Sequence, residues 1–185
     1  MRAIETELPG VLIIEPRVFH DPRGFFLETY SARRYAEAGL PESFVQDNHS
    51  RSAPGTLRGL HYQLRQPQAK LVRCIRGALF DVAVDVRRGS PTFARWIGVE
   101  LTALNMRQLF IPPGFAHGFC VGAEESEMEY KCSDYYAPED EIGIIWNDPT
   151  LNIEWPIENP VLSAKDSQFG TLSAVGDNLP LYEGA

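Results

Sequence analysis

The stretch G-L-H-Y-Q-L-R-Q-P-Q-A-K-L-V-R-C-I-R-G, residues 59–77, decides how the rest of the chain is read. A second stretch, I-P-P-G-F-A-H-G-F at 111–119, completes it. Each holds a histidine in a short strand-forming run punctuated by glycine or proline. In L-R-G-L-H-Y-Q-L, residues 57–64, strand alternation puts His61 and Gln63 on the face of Leu57 and Gly59. Arg58 falls on the opposite face of a regular strand; a bulge at Gly59 would redirect it. The run K-L-V-R-C-I-R, 70–76, opens on Lys70 and stops at Gly77.

The same grammar repeats outward from there. V-L-I-I-E-P (11–16), F-F-L-E-T-Y (25–30), A-L-F-D-V-A-V-D-V (78–86), A-R-W-I-G-V-E-L (94–101), R-Q-L-F-I-P (107–112), A-H-G-F-C-V (116–121) and S-E-M-E-Y-K-C-S-D (126–134) are short apolar-rich runs between turn residues. In the last of these, Met128, Tyr130 and Cys132 share the inward face, and Glu127, Glu129 and Lys131 the other. One helix is expected over Ala32–Ala38, with Ser31 as N-cap and Gly39 as its stop, and a second near Leu162–Asp166. Many short strands in 185 residues predict an all-β jelly roll or barrel with a few short peripheral helices. The length suits one domain over 1–185, large enough to bury a core.

Charge and cysteine usage narrow the function classes. A net charge of −8 argues against nonspecific nucleic-acid binding. The charge is uneven, however: Arg51, Arg58, Arg65, Lys70, Arg73 and Arg76 lie between Asp47 and Asp81 with no acid among them. Such a segment is either a local anion site or a solvated strand face, and composition leaves both open. Cys74, Cys120 and Cys132 form neither a disulfide framework nor a metal knuckle, so they read as core residues in a reducing, cytoplasmic protein. No apolar run approaches the roughly 20 residues of a membrane span, and Met1–Gly10 has no secretory apolar segment.

In spacing, the two stretches resemble the metal-binding motif of the cupins, a jelly-roll (double-stranded β-helix) superfamily. That motif has H-x-H then E in its first half and P-x-G-x2-H in its second. Here His61 and His117 remain, but Gln63 stands at the second histidine position and Lys70 at the glutamate position. An ammonium has donors and no lone pair while charged, so it repels a cation rather than binding one. What it can do is stabilise a developing oxyanion, as a metal would. His61 is then a natural base, because histidine changes charge near neutral pH. Tyr130, protonated at neutral pH, can donate a proton. Base, acid and cation together suffice to deprotonate and reprotonate carbon next to a ketone. A core histidine and a core tyrosine are the plainer reading of the same periodicity.

Seven further blocks extend the likeness: F-H-D-P-R-G-F-F-L-E-T-Y (19–30), V-Q-D-N-H-S (45–50), I-P-P-G-F-A-H-G-F (111–119), Y-K-C-S-D-Y-Y-A-P (130–138), G-I-I-W-N-D-P (143–149), I-E-W-P (153–156) and L-S-A-K-D (162–166). With R-G-L-H-Y-Q and Lys70, they resemble the dTDP-4-dehydrorhamnose 3,5-epimerase family in order and over nearly the whole chain. The resemblance implies conversion of dTDP-4-dehydro-6-deoxy-D-glucose to dTDP-4-dehydro-L-rhamnose, with no cofactor and no metal. It implies that His61 is the base and Asp166 its partner, that Tyr130 is the proton donor, and that Lys70 faces the C4 oxygen. His117 would line the pocket, with Asp81 either its partner or a surface acid. Arg23 and Arg58 match diphosphate contacts, and Gln46, Asp47 and Asn48 match the thymine-reading segment. Phe25 and Glu28 resemble residues that reach the site from a neighbouring subunit, which implies a homodimer. Glu141 and Lys165 match further binding positions. The C-terminal tail after Phe169 departs from the family pattern.

A single-centre 3- or 5-epimerase would keep the same base and acid, so it stays open beside the main reading. A metal-dependent cupin enzyme and a noncatalytic sugar-nucleotide module are the other candidates. Metal dependence is directly testable. Chelator treatment should leave turnover unchanged, and purified protein should lack stoichiometric metal. Loss of activity with EDTA, restored by one added metal, would overturn the assignment of Lys70 as the cavity's cation.

Overall fold

The computed structural model describes residues 1–40 and 43–184. Its strands are β1 (Arg2–Glu5), β2 (Leu12–Glu15), β3 (Val18–Asp21), β4 (Gly24–Leu27), β5 (Gln46–Ser52), β6 (Leu57–Gln63), β7 (Lys70–Arg76), β8 (Ala78–Asp85), β9 (Trp96–Thr102), β10 (Gln108–Ile111), β11 (Phe115–Val121), β12 (Ser126–Cys132) and β13 (Glu141–Gly143). Helices α1 (Ala32–Glu37) and α2 (Leu172–Val175) are short, and a 3-10 turn spans Asp166–Gln168.

The pairing is nested. β8 pairs with β9, β7 with β10, β6 with β11 and β5 with β12, all antiparallel. Successive strands of this long folded hairpin go to opposite sheets. The first sheet runs β1-β2-β10-β7-β12-β5 and the second β13-β6-β11-β8-β9. That is the jelly roll expected from the strand spacing. The sheets face each other over a core that takes Val72, Leu109, Ile111 and Met128 from the first and Leu79, Val99, Leu101, Phe115 and Phe119 from the second. The back of the second sheet is covered by the C-terminal segment through Leu151, Leu172 and Leu179. Helix α1 covers the back of the first with Tyr35, whose hydroxyl donates to Gln108 Oε1 at 2.7 Å.

Two local features deserve their physical reasons. β5 is almost wholly polar, Q-D-N-H-S-R-S, and gives no apolar alternation; it is a strand because every residue from Gln46 to Ser52 pairs with β12. In β6 the pairing skips: His61 faces His117, but Arg58 faces Phe119, so β6 has one residue too many. Gly59 takes up that bulge with φ +115, and a Cβ there would lie 2.7 Å from both Gly118 Cα and His117 O.

Several sequence expectations are corrected. F-F-L-E-T-Y is strand only through Leu27, after which the chain leaves the β3–β4 hairpin. Ser31 starts α1 but makes no side-chain cap hydrogen bond, while Gly39, at φ +89, ends it as expected. Leu162–Asp166 is not a helix; the turn falls later, with Ser163 Oγ accepting from Asp166 N–H at 3.0 Å. Among the described residues no helix is long and apolar enough to cross a membrane.

Leu101 is fully buried between the sheets. Leu101→Ala should therefore destabilise the protein by about 2–5 kcal/mol, read as a lower urea midpoint at constant slope. A loss below about 1 kcal/mol would mean that the inter-sheet core collapses into the space.

Candidate active site

A cavity of about 370 Å³ opens between the sheets, lined by side chains from β5, β6, β7, β11, β12 and β13. Its walls hold His61, Arg58, Lys70, His117, Tyr130, Glu141, Gln46 and Asn48. The bulge at Gly59 lets Arg58 and His61, three residues apart, share one wall. A regular strand would send them to opposite faces.

His61 Nε2 lies 2.9 Å from Asp166 Oδ1, and Asp166 Oδ2 accepts the Gly59 N–H at 3.2 Å. Burial alone would raise the Asp166 pKa; the hydrogen bond and charge of His61, with the Gly59 N–H, carry it below its ordinary value. An ionised carboxylate only accepts. Nε2 therefore carries the proton, and the lone pair of neutral His61 is on Nδ1. His117 repeats the pattern, with Nε2 3.0 Å from each oxygen of fully buried Asp81. Asp81 is thus a histidine partner, not a surface acid.

Lys70 has no ion pair and no hydrogen bond among the described residues. Burial lowers its pKa, while the Cys132 thiol, Glu141 and Asp81 pull the other way. Tyr130 stands on the inward face of β12, as alternation required, and its hydroxyl is likewise unpaired among the described residues. Burial is the main cause that pushes its pKa up to about 12, helped by Cys132 and opposed by Arg58. It is a protonated phenol at neutral pH. Arg58 donates to Ser52 Oγ at 3.1 Å and has no carboxylate partner among the described residues.

Gln46 and Asn48 point inward, joined by a 3.0 Å hydrogen bond. Asp47, between them, faces out and pairs with Lys131 at 2.8 Å, so its carboxylate is not on the cavity wall. Glu141 is in the wall, paired with Lys165. Arg23, Phe25 and Glu28 lie away from this chain's cavity, around the β3–β4 hairpin. There Arg23 pairs with Asp21 at 2.6 Å, Glu28 pairs with Arg34 at 3.1 Å, and Phe25 is 59% exposed.

The amide of Gln63 is fully engaged, donating to Gln66 O and Tyr135 O and accepting from Ala137 N–H. Among the described residues no three His, Cys, Asp or Glu side chains converge as a metal-binding group. Sequence reading missed Ser50, Gln68 and Tyr136, which also line the cavity. Ser50 was legible in principle, two residues beyond Asn48 on the same face of β5. Its Oγ is buried and has no hydrogen-bond partner among the described residues.

Comparison with known proteins gives the family and the fold. The family model described as dTDP-4-dehydrorhamnose 3,5-epimerase matches residues 5–174. A dTDP-4-dehydrorhamnose 3,5-epimerase of Pseudomonas aeruginosa is 58% identical over 182 residues, covering 97% of this chain and 100% of that protein. One of Shigella flexneri is 57% identical over 168 residues, covering 90% of this chain and 93% of its own. The crystal structure of dTDP-6-deoxy-D-glucose-3,5-epimerase from Legionella pneumophila in complex with dTDP-4-keto-L-rhamnose superposes with a TM-score of 0.96 at 49% identity, covering 99% of each chain.

The lowered pKa of Asp166 fixes the sign of a pH effect. Its stabilising contribution is present above its ordinary value of 3.8 and is lost as pH falls through the lower folded value. Asp166→Asn should cost about 1–3 kcal/mol at pH 7, and the gap to the parent should narrow towards about pH 3. Urea unfolding at both pH values measures it; an equal gap at both would show that Asp166 is not held ionised by its partners.

Proposed function

The chain belongs to the dTDP-4-dehydrorhamnose 3,5-epimerase family, and we propose that its cavity inverts C3 and C5 of dTDP-4-dehydro-6-deoxy-D-glucose, giving dTDP-4-dehydro-L-rhamnose. One observation carries the catalytic assignment: the His61–Asp166 pair, at 2.9 Å, shares a cavity with an amine and a phenol that have no hydrogen-bond partner among the described residues. His61 and Tyr130 stand on β6 and β12, which belong to opposite sheets.

His61 Nδ1 takes the proton from the carbon next to the C4 ketone. The C–H electron pair becomes the C=C of an enolate, and the negative charge moves to the C4 oxygen. Asp166 stabilises the imidazolium that results. Lys70 stabilises the oxyanion, an interaction that strengthens as the charge develops. Tyr130 then delivers its phenolic proton to the opposite face, the ketone reforms, and the carbon is inverted. His61 returns its proton to solvent and Tyr130 regains one from it. The reaction is redox-neutral, and none of these steps calls for a cofactor or metal.

Arg58, whose guanidinium meets no carboxylate among the described residues, suits the diphosphate. Gln46, Asn48 and the unpartnered Ser50 Oγ suit a polar ligand along β5, and His117, Glu141 and Lys165 border the sugar. Arg23, Phe25 and Glu28 act in the partner subunit's pocket of a homodimer. Supporting this, the β3–β4 hairpin pairs only with itself and exposes Phe19, Phe25 and Phe26. Three buried free cysteines accord with a cytoplasmic enzyme.

Incubation of the 4-keto substrate in deuterated water, with NMR at C3 and C5, tests the reading. The parent protein should invert and label both centres; inversion of one alone would make it a single-centre epimerase. Tyr130→Phe should still label carbon with retained configuration while inverted product falls sharply, and His61→Asn should abolish both. Normal inversion by Tyr130→Phe would remove Tyr130 as the acid.

A further inference from the structure

The turn that delivers Asp166 also delivers a second side chain to His61. Phe169 lies three residues on, its ring centroid 5.5 Å from that of His61 and its plane at 84° to it. The imidazole is otherwise held through Nε2. One hydrogen bond leaves a ring free to swing about its donor–acceptor line, so a second contact is needed to fix the plane.

The seat for Phe169 is made by a missing side chain. Gly143 pairs with His61 across β13 and β6. A Cβ on Gly143 would overlap the Phe169 ring, and Gly143 is not in the left-handed region, so space rather than backbone conformation requires glycine. The turn is docked to β13 and to the residues just after it. Lys165 pairs with Glu141, and Ile145 N–H donates to Gly170 O at 2.9 Å. Nothing in the proposed reaction yet uses Phe169.

We propose that Phe169, seated on Gly143, is a positioning residue that fixes the plane of the His61 imidazole and holds its Nδ1 lone pair on the carbon to be deprotonated. This rests on the reading of His61 as the base. Phe169 contacts His61 from the segment that carries Asp166, so one turn supplies both the carboxylate and the wall.

The test uses the full chain with Phe169→Ala, Phe169→Tyr, Gly143→Ala and the double variant Gly143→Ala/Phe169→Ala. Phe169→Ala should lower kcat for solvent-deuterium labelling roughly 10- to 100-fold, the scale of a misplaced catalytic group, with KM within about twofold. Phe169→Tyr keeps the ring and should restore most of kcat. Gly143→Ala should show the same loss by displacing the ring. Adding it to Phe169→Ala should cost nothing more, because the methyl then has no ring to displace. Imidazole nitrogen NMR of His61 without substrate gives the independent readout: its signals should move in Phe169→Ala and Gly143→Ala and return in Phe169→Tyr. If Phe169→Ala does not fold, Gly143→Ala and Phe169→Tyr carry the comparison. Unchanged kcat with unmoved imidazole signals, or a raised KM at constant kcat, overturns the inference. If the parent chain does not invert but the signals move as stated, the reaction is wrong and the positioning stands.

Discussion

Everything at the site depends on how closely β6 approaches β11 at two facing glycines. A Cβ on Gly59 would press on Gly118 Cα and His117 O, and one on Gly118 would lie 2.9 Å from Arg58 O. The contact lets β6 carry one extra residue, and that residue re-phases the strand. Arg58 and His61 then share a wall, and the Gly59 N–H turns to Asp166 instead of the ladder. A regular β6 would separate the proposed phosphate contact from the base and leave Asp166 without one of its donors. Bulges commonly re-aim side chains next to active sites, and here one bulge aims two side chains and one backbone donor.

The electrostatics follow from which charges are matched. The carboxylates around the cavity each have a fixed partner: Asp166 has His61, Asp81 has His117, and Glu141 has Lys165. Lys70 and Arg58 have no carboxylate partner among the described residues. The chain is acidic overall, yet its free charges at the cavity are positive, which suits an anionic ligand. Burial lowers the Lys70 pKa. In the proposed reaction, an oxyanion forming beside Lys70 favours its ammonium form, and a neutral ketone does so much less, so the interaction strengthens along the reaction path.

The architecture was legible because jelly-roll strands announce themselves by short apolar runs between turn residues, and the inward face of S-E-M-E-Y-K-C placed Tyr130 correctly. The gaps have physical causes. β5 has no apolar period; its partner β12 makes it a strand. Ser50 could be placed on the face of Asn48 by period two, but a serine in a polar run carries no chemical signal until its Oγ is seen buried. Alternation alone sends Arg58 to the wrong face; the bulge expected at Gly59 corrects it, and the facing Gly118 gives its physical reason. Asp47 was grouped with Gln46 and Asn48 by its place in a motif, but period two puts its carboxylate outside with Lys131. Asp166 carries no local signal of its own. It meets His61 across 105 positions of sequence, a separation that only family resemblance could bridge.

The sandwich also explains how one constellation can serve two carbons. C3 and C5 flank C4 and share its carbonyl, so an enolate at either carbon puts its charge on the same oxygen. A cation fixed at that oxygen is equally useful to both. In the proposed reaction the base comes from β6 of one sheet and the acid from β12 of the other, so a sugar ring between them would present one face to each. In the proposed reaction, anchoring the C4 oxygen at Lys70 lets the ring pivot about that point and bring either carbon between His61 and Tyr130. Inversion at each centre then follows from the opposition of the two sheets rather than from a second base, and the nucleotide, held remotely by Arg58 and the β5 row, keeps the ring in place while it turns.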